Sequence, residues 1–377
     1  MRNLLIPLLM VFVLAGCATP NTEVPEVEDV ARKLEEQKQH LFVFKNRDAQ
    51  RQRFLNISLP LMKSAGDLCE THQPEWGIRI WHDKMISEGV RSAIKREYDV
   101  GPYLSIRDVF SGFPAEKVGV KRGDVLLKVN DWALPADQSD LKMILAKLDE
   151  TLKKNKNGDV ELVVQRGEER KRFFISPDAI CDYKLVLDFK DQERNAFTDG
   201  ERIVVTLPFM EFFQDDDELA SVISHEMAHA IMGHVEAKQR NATLAAAPAF
   251  LAEMALIFLG GVNTGGDLTR AAAAMGANAY SVDFEKEADY VGMYVYARTG
   301  RPLEKMPDAF RRIGLMSPRS IAGEETTHPT SAKRFVALQK TLEEVKNKKK
   351  QGLPLLPNMK DGEIAPGQKE DKESQAP

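Results

Sequence analysis

Asp215-Asp216-Asp217-Glu218-Leu219-Ala220-Ser221-Val222-Ile223-Ser224-His225-Glu226-Met227-Ala228-His229 is the stretch on which the reading of this chain turns. Acidic residues crowd its start and an apolar face follows, which predicts a helix with an acidic first turn. Residues four apart share a helix face, so the imidazoles of His225 and His229 can converge on one metal ion. Glu226, beside the first histidine, can reach a water at that metal and act as general base. A pattern with three fixed positions also arises by chance, and a surface helix with two histidines is the alternative. The rest of the chain has to decide.

A zinc site of this kind needs a third protein ligand and one open position. Ser281-Val282-Asp283-Phe284-Glu285-Lys286-Glu287-Ala288-Asp289-Tyr290 reads as a second helix. Glu285 and Asp289 share a face, while Glu287 points elsewhere. That arrangement suits Glu285 as the third ligand and Asp289 as the acceptor for a ligand histidine's free N–H. An acidic helix alone reads as a solvated face; beside the histidine pair it reads as a ligand helix. His234 falls five residues after His229, leaves the ligand face of a continuous helix, and reads as structural.

Several further motifs keep the same order: Asn195-Ala196-Phe197-Thr198-Asp199-Gly200, the apolar strand Arg202–Leu207, then His328-Pro329 and Arg334. With His225–His234 and Glu285–Asp289, this set resembles the zinc metallopeptidases of the HtpX, BepA and Ste-type CaaX-protease family, over roughly residues 185–340. The resemblance implies a gluzincin endopeptidase with one zinc ion held by His225, His229 and Glu285. It gives Glu226 the role of base and Asp289 a supporting role, and it places His328 and Arg334 near the active site. A peptide-hydrolysing site needs a donor for the tetrahedral oxyanion besides the metal. His328 is the candidate; it could instead cap the metal and silence the enzyme, or only pack against its loop.

The N-terminus has a short basic start, Met1-Arg2-Asn3, and an apolar run, Leu4–Leu14, too short to span a bilayer as a mature helix. Leu14-Ala15-Gly16-Cys17 resembles a bacterial lipoprotein signal, which implies cleavage before Cys17, lipid attachment there, and an acyl anchor in place of a transmembrane helix. Ala18 after the cysteine favours the periplasmic face of the outer membrane. Losing Arg2 with the leader moves the formal charge from −5 to −6, a mildly acidic balance that gives no case for nucleic-acid binding.

Two of the three cysteines then remain, Cys69 and Cys181, and an exported compartment permits a disulfide between them. They bracket Ser111–Asn130, which is similar to the bacterial PDZ pattern, with Val118 at a position usually small. Gly119 and Gly123 suit tight turns. Leu141–Leu152 reads as an amphipathic helix, and Val160–Gln165 with Arg172–Ser176 as a hairpin. A PDZ-like domain is therefore expected at 99–178, with Val100–Ile106 as its peptide-capturing loop. Pro102 lacks an N–H, which puts capture of C-termini in doubt.

The expected organisation is α+β: a leader at 1–16, a linker and spacer helix at 17–60, and a metallopeptidase domain split into 61–98 and 179–345. That domain is mostly helical with a small sheet and carries the 99–178 insertion; residues 346–377 form a disordered tail. Arg202–Leu207 is either a substrate-binding edge or a paired central strand. Ala245–Val262 is either a membrane-dipping hairpin or, favoured by Glu253 and the limited length, a buried helix pair over the active-site helix. The expected work is hydrolysis of misfolded or unassembled exported proteins in the cell envelope. Expected partners are protein and peptide substrates, the membrane through the lipid anchor, and an assembly partner through the PDZ-like domain. The competing reading is a latent or non-proteolytic chaperone or scaffold that docks through that domain.

Overall fold

In the computed structural model, residue 22 and residues 24–154, 159–258, 264–278, 281–316 and 332–360 are described, and elements are numbered here in chain order. The histidine stretch forms helix α6 (Asp216–Ile231). Asp215 caps it by accepting the N–H groups of Asp217 at 2.8 Å and Glu218 at 3.3 Å, which places a carboxylate at the positive end of the helix dipole. Every residue from Glu218 to Ile231 is buried, so α6 is a core helix. Its four leading acids each meet a cation from elsewhere in the chain. Lys305 pairs with Asp215, Arg53 with Asp216 at 2.6 Å, Arg301 with Asp217, and Arg312 with Glu218 at 2.5 Å. The start of α6 is thereby tied to α1 (Asp29–Ser64) and α10 (Lys305–Met316).

Helix α9 (Ser281–Arg298) packs along α6, and α11 (Ala332–Lys350) packs on α9. A sheet ordered β10 (Ala196–Thr198), β11 (Arg202–Thr206), β9 (Lys184–Asp188) also packs against α6 through β10 and β11. Strand β11 pairs antiparallel with β10 and parallel with β9, so of the two readings left open it is the central, already paired strand. Its near-continuous burial from Ile203 to Thr206 fits that position. Phe54, Leu61 and Met62 of α1 join Ile203 and Val205 of β11 and Tyr294 of α9 in one core. The expected spacer helix is thus only half a spacer: the first half of α1 is largely exposed, and its second half is built into the core.

The second unit has its own core, with Leu104, Ile106, Leu126, Ile144, Leu162 and Val164 at its centre. Its sheet runs β2 (Ile78–Trp81), β3 (Ser105–Val109), β4 (Val125–Val129), β6 (Val160–Arg166), β7 (Glu169–Ile175), with β5 (Trp132–Ala133) on β4. Helices α3 (Pro114–Lys117) and α4 (Leu141–Lys154) complete it, and Gly119 and Gly123 take φ values of +89° and +87° at the expected turns. The unit begins earlier than residue 99. Strand β2 is its edge, and α2 (Glu88–Tyr98) packs Ile94 with Trp81 and Val100 against Leu41 and Phe44 of α1. Segment 100–106 leads into β3, which pairs on both sides, and the Leu104 N–H already donates to Gln138 Oε1 at 2.8 Å. Residues 104–106 at the end of the expected loop are therefore already paired within the unit.

Cys69 and Cys181 are joined by a disulfide with Cα atoms 5.6 Å apart, beside the pairing of β1 (His72–Glu75) with β8 (Asp178–Cys181). It closes the base of the β unit, where the chain leaves and re-enters the main core.

Helices α7 (His234–Phe258) and α8 (Asp267–Asn278) form a hairpin, but it is not a buried pair: Leu244, Phe250, Leu251 and Met275 are each more than half exposed. Glu253 is turned inward onto the start of α8, accepting the N–H groups of Leu268 and Thr269 at 3.2 Å each and the hydroxyls of Thr264 and Thr269. A helix N-terminus is a favourable place for that charge. No described helix is long and apolar enough to cross a membrane. The tail is also ordered further than expected: residues 351–360 fold back, with Leu355, Leu356 and Met359 on the core and Arg298 Nε donating to Leu355 O at 2.7 Å. Residues 361–377, the leader and Cys17 lie outside the described residues.

Candidate metal centre

Helical spacing brings His225 and His229 onto one face of α6, and that face meets α9. The approach is close because Gly292 lies there: a Cβ on it would sit 3.0 Å from Ser224 O and 3.1 Å from His225 Cα. Glu285, Ala288, Asp289 and Gly292 recur at helical spacing and form the facing stripe of α9.

The Nε2 atoms of His225 and His229 are 3.1 Å apart, and Glu285 stands 3.3 Å from each through its two oxygens. All three side chains are buried, and their donor atoms lie within 4.8 Å of one another. Tetrahedral zinc with bonds of about 2.0–2.1 Å separates its ligand atoms by about 3.3 Å. The observed edges match that spacing, and two imidazoles with one carboxylate are a zinc donor set, so these residues fit the ion.

Behind this triangle His225 is backed directly by a carboxylate, and His229 through a second imidazole. His225 Nδ1 lies 3.0 Å from Asp289 Oδ1. His229 Nδ1 lies 2.9 Å from His234 Nδ1, and His234 Nε2 lies 3.0 Å from Glu287 Oε2. The proton assignment is self-consistent: with Nε2 of His229 facing the metal position, its Nδ1–H donates to His234, whose Nε2–H donates to Glu287. His234 also stacks on Phe284 with ring centroids 4.7 Å apart. His234 and Glu287, read from sequence as structural and as pointing elsewhere, are therefore part of the site. The signal was a third histidine just past the motif, together with Gly233 (φ +63°), which ends α6 and turns His234 back.

Arg334, from α11, reaches the same place. Its Nε and Nη2 fork onto Asp289 at 2.5 and 2.8 Å, and its Nη1 lies 3.0 Å from Glu285. The guanidinium also sits 4.9 Å from the centroid of Phe310, whose ring packs edge-on to His225. Burial opposes charge on His225, but Asp289 and Glu285 outweigh it and push its pKa up to about 9. Burial likewise opposes ionisation of Asp289, yet Arg334 and His225 hold it below the usual carboxylate range. Glu226 is buried between the two histidines on α6. A cavity of about 720 Å³ opens beside Glu287, walled by Met232, Phe284 and Tyr290 and by Pro357–Lys360 of the tail. His328 lies outside the described residues.

Residues 155–342 match Peptidase family M48. A stretch of 134 residues is 30% identical to an Arabidopsis thaliana protein described as "Mitochondrial metalloendopeptidase OMA1", covering 35% of this chain and 26% of that one. The chain thus spans about a quarter of that relative's length. The crystal structure of the HtrA3 PDZ domain bound to a phage-derived ligand is 23% identical, covering 29% of this chain and 89% of that one, with a TM-score of 0.20. The family match and the Arabidopsis relative support a metallopeptidase of family M48.

Proposed function

We propose, from the match of residues 155–342 to peptidase family M48 and the ligand triangle on α6 and α9, that this chain is a zinc metalloendopeptidase. The observation that carries the reading is the 3.1–3.3 Å triangle of His225, His229 and Glu285, with a glutamate directly beside the first ligand. Zinc bound there supplies Lewis-acid polarisation of a carbonyl and a more acidic water. Glu226 takes a proton from the attacking water and returns it to the leaving amine. Asp289 holds His225, and His234 with Glu287 holds His229, each fixing the tautomer that leaves Nε2 free. Arg334 braces Asp289 and Glu285, a positioning role. His328 is proposed as the oxyanion donor.

The proposed substrates are misfolded or unassembled exported proteins of the cell envelope. The leader-like sequence ending at Cys17 supports that location, with a lipid anchor at the periplasmic face of the outer membrane. The β unit is proposed as PDZ-like, on the strength of its Ser111–Asn130 pattern and positive-φ glycines. The competing scaffold reading is disfavoured by Glu226, since a purely structural zinc site fills four positions and needs no base. Cleavage of an unfolded reporter by the purified chain and by Glu226→Gln decides between them. The parent should cut and the variant should retain zinc without cutting; equal cutting by both, or none by either with zinc bound, sinks the hydrolase reading.

A further inference from the structure

The three-stranded sheet ends in two edges. One, β10, is three residues long and lies against α6. The other, β9, pairs only with β11 among the described residues. Lys184 N–H donates across that ladder to Glu201 O at 2.9 Å. Alternation along a strand then turns the N–H and C=O of Leu185 and Leu187 to the open side.

That open side borders a groove of about 580 Å³. Tyr183, Lys184, Leu185, Val186 and Leu187 line it one after another. A sheet face would offer every second residue to a cavity, whereas an edge offers each in turn, so the groove runs along the backbone of β9. Leu55, Leu59 and Met62 of α1 lie buried beneath it, and Gln73, Glu75 and Arg79 form polar parts of the rim.

Folded proteins guard exposed edges with charge, proline or bulges. The far edge of the β unit does so: β7 begins Glu169-Arg170-Lys171-Arg172. The middle of β9, Leu185-Val186-Leu187, carries no charge or proline, and its register with β11 is uninterrupted. An unguarded edge inside an apolar groove offers main-chain donors and acceptors together with room for side chains. Only an extended polypeptide satisfies both, because a helix keeps its backbone groups to itself and an acyl chain has none.

We propose that this groove is a second peptide site, separated from the metal centre by β11 and β10. It takes an extended apolar segment of an unfolded polypeptide by strand addition to β9. The site would hold a substrate chain at a second point while another part of it lies at α6.

The test uses the full zinc-loaded chain carrying Glu226→Gln and a fluorescein-labelled peptide of alternating leucine and serine, capped by a lysine at each end. Binding is read by anisotropy, and the position by amide hydrogen exchange. The peptide should protect the amides of Leu185 and Leu187. Leu187→Pro removes one groove-facing N–H and should weaken binding about tenfold or more, whereas Leu187→Ala, which keeps that N–H, should stay within about threefold. Absence of binding, protection at Ala196–Thr198 instead, or equal affinity for all three proteins overturns the proposal. So does protection of Leu185 and Leu187 before any peptide is added, which would mean the chain's own segment fills the groove. Where Leu187→Pro does not fold, the exchange pattern of the parent decides alone.

Discussion

Asp289→Asn is the perturbation that probes the architecture of the centre most sharply. The carboxylate accepts Arg334 Nε at 2.5 Å, Arg334 Nη2 at 2.8 Å and His225 Nδ1 at 3.0 Å, all in a buried setting. An amide offers one oxygen, so at least one donor loses its acceptor, and the new NH2 is turned toward a cation or an imidazole N–H. Removing one partner of a buried ion pair costs about 3–5 kcal/mol of folding stability. Arg334, with Asp289 neutralised, leans on Glu285 across their 3.0 Å contact and competes with the metal for it. Loss of the carboxylate behind a ligand histidine lowers metal affinity by about 10–100-fold, or about 1.4–2.7 kcal/mol. Two measurements separate these effects: denaturant unfolding of the zinc-free protein, and competition for zinc with a chromophoric chelator. Zinc affinity equal to that of the parent in a folded Asp289→Asn protein would refute the reasoning, because the ligands would then need no support from behind.

Four further outcomes are expected. Glu287→Gln weakens the chain behind His229 and should lower zinc affinity about tenfold, with less loss of stability than Asp289→Asn because Glu287 is 42% exposed; chelator competition and unfolding curves read both. Gly292→Ala forces α9 away from Ser224 O and His225 Cα by a few tenths of an ångström, so peptidase activity should fall more than overall helicity, compared by reporter cleavage and circular dichroism. Opening the Cys69–Cys181 bridge frees a separation of 112 residues and should cost about 5 kcal/mol in the chain-entropy account, seen as a lower denaturant midpoint with reductant and no change for Cys69→Ser/Cys181→Ser. The hydroxyls of Thr264 and Thr269 push the pKa of Glu253 down to about 2 from 4.5. A depressed carboxylate stabilises the fold above its unfolded pKa, so the α7–α8 hairpin should loosen as pH falls from about 4.5 toward 2, and Glu253→Gln should remove that dependence in hydrogen exchange.

The metal ligands were legible because their geometry is local. His225 with His229, and Glu285 with Asp289, are each four apart on one helix, and helix periodicity alone puts each pair on one face. His234 was misplaced by extending the same periodicity too far. Gly233 breaks the helix with a left-handed residue, and the ring of His234 swings back to His229 from the first turn of α7. Glu287 became readable only once that turn was known. Gly292 gave no signal, since its value lies in the backbone it allows near, on another helix.

At the fold level, the β unit was visible in its Ser111–Asn130 pattern but not in its first strand. Ile78–Trp81 is four residues long, and pairing with β3 rather than local sequence fixes its place. The end of the chain is expected to be disordered, yet Leu355, Leu356 and Met359 find apolar surface that exists only after α9 and α11 have packed. The status of Arg202–Thr206 also waited on its neighbours, because whether a strand is central depends on what pairs with it.

The central claim is that His225, His229 and Glu285 hold zinc, and zinc-edge X-ray absorption of the purified chain, with metal content measured on the same sample, tests it most directly. One zinc per chain is expected, with nitrogen and oxygen ligands at about 2.0–2.1 Å and no sulfur, and His229→Ala should remove it. A folded chain that takes up no zinc, a sulfur shell at about 2.3 Å, or an unchanged spectrum in His229→Ala would contradict the account.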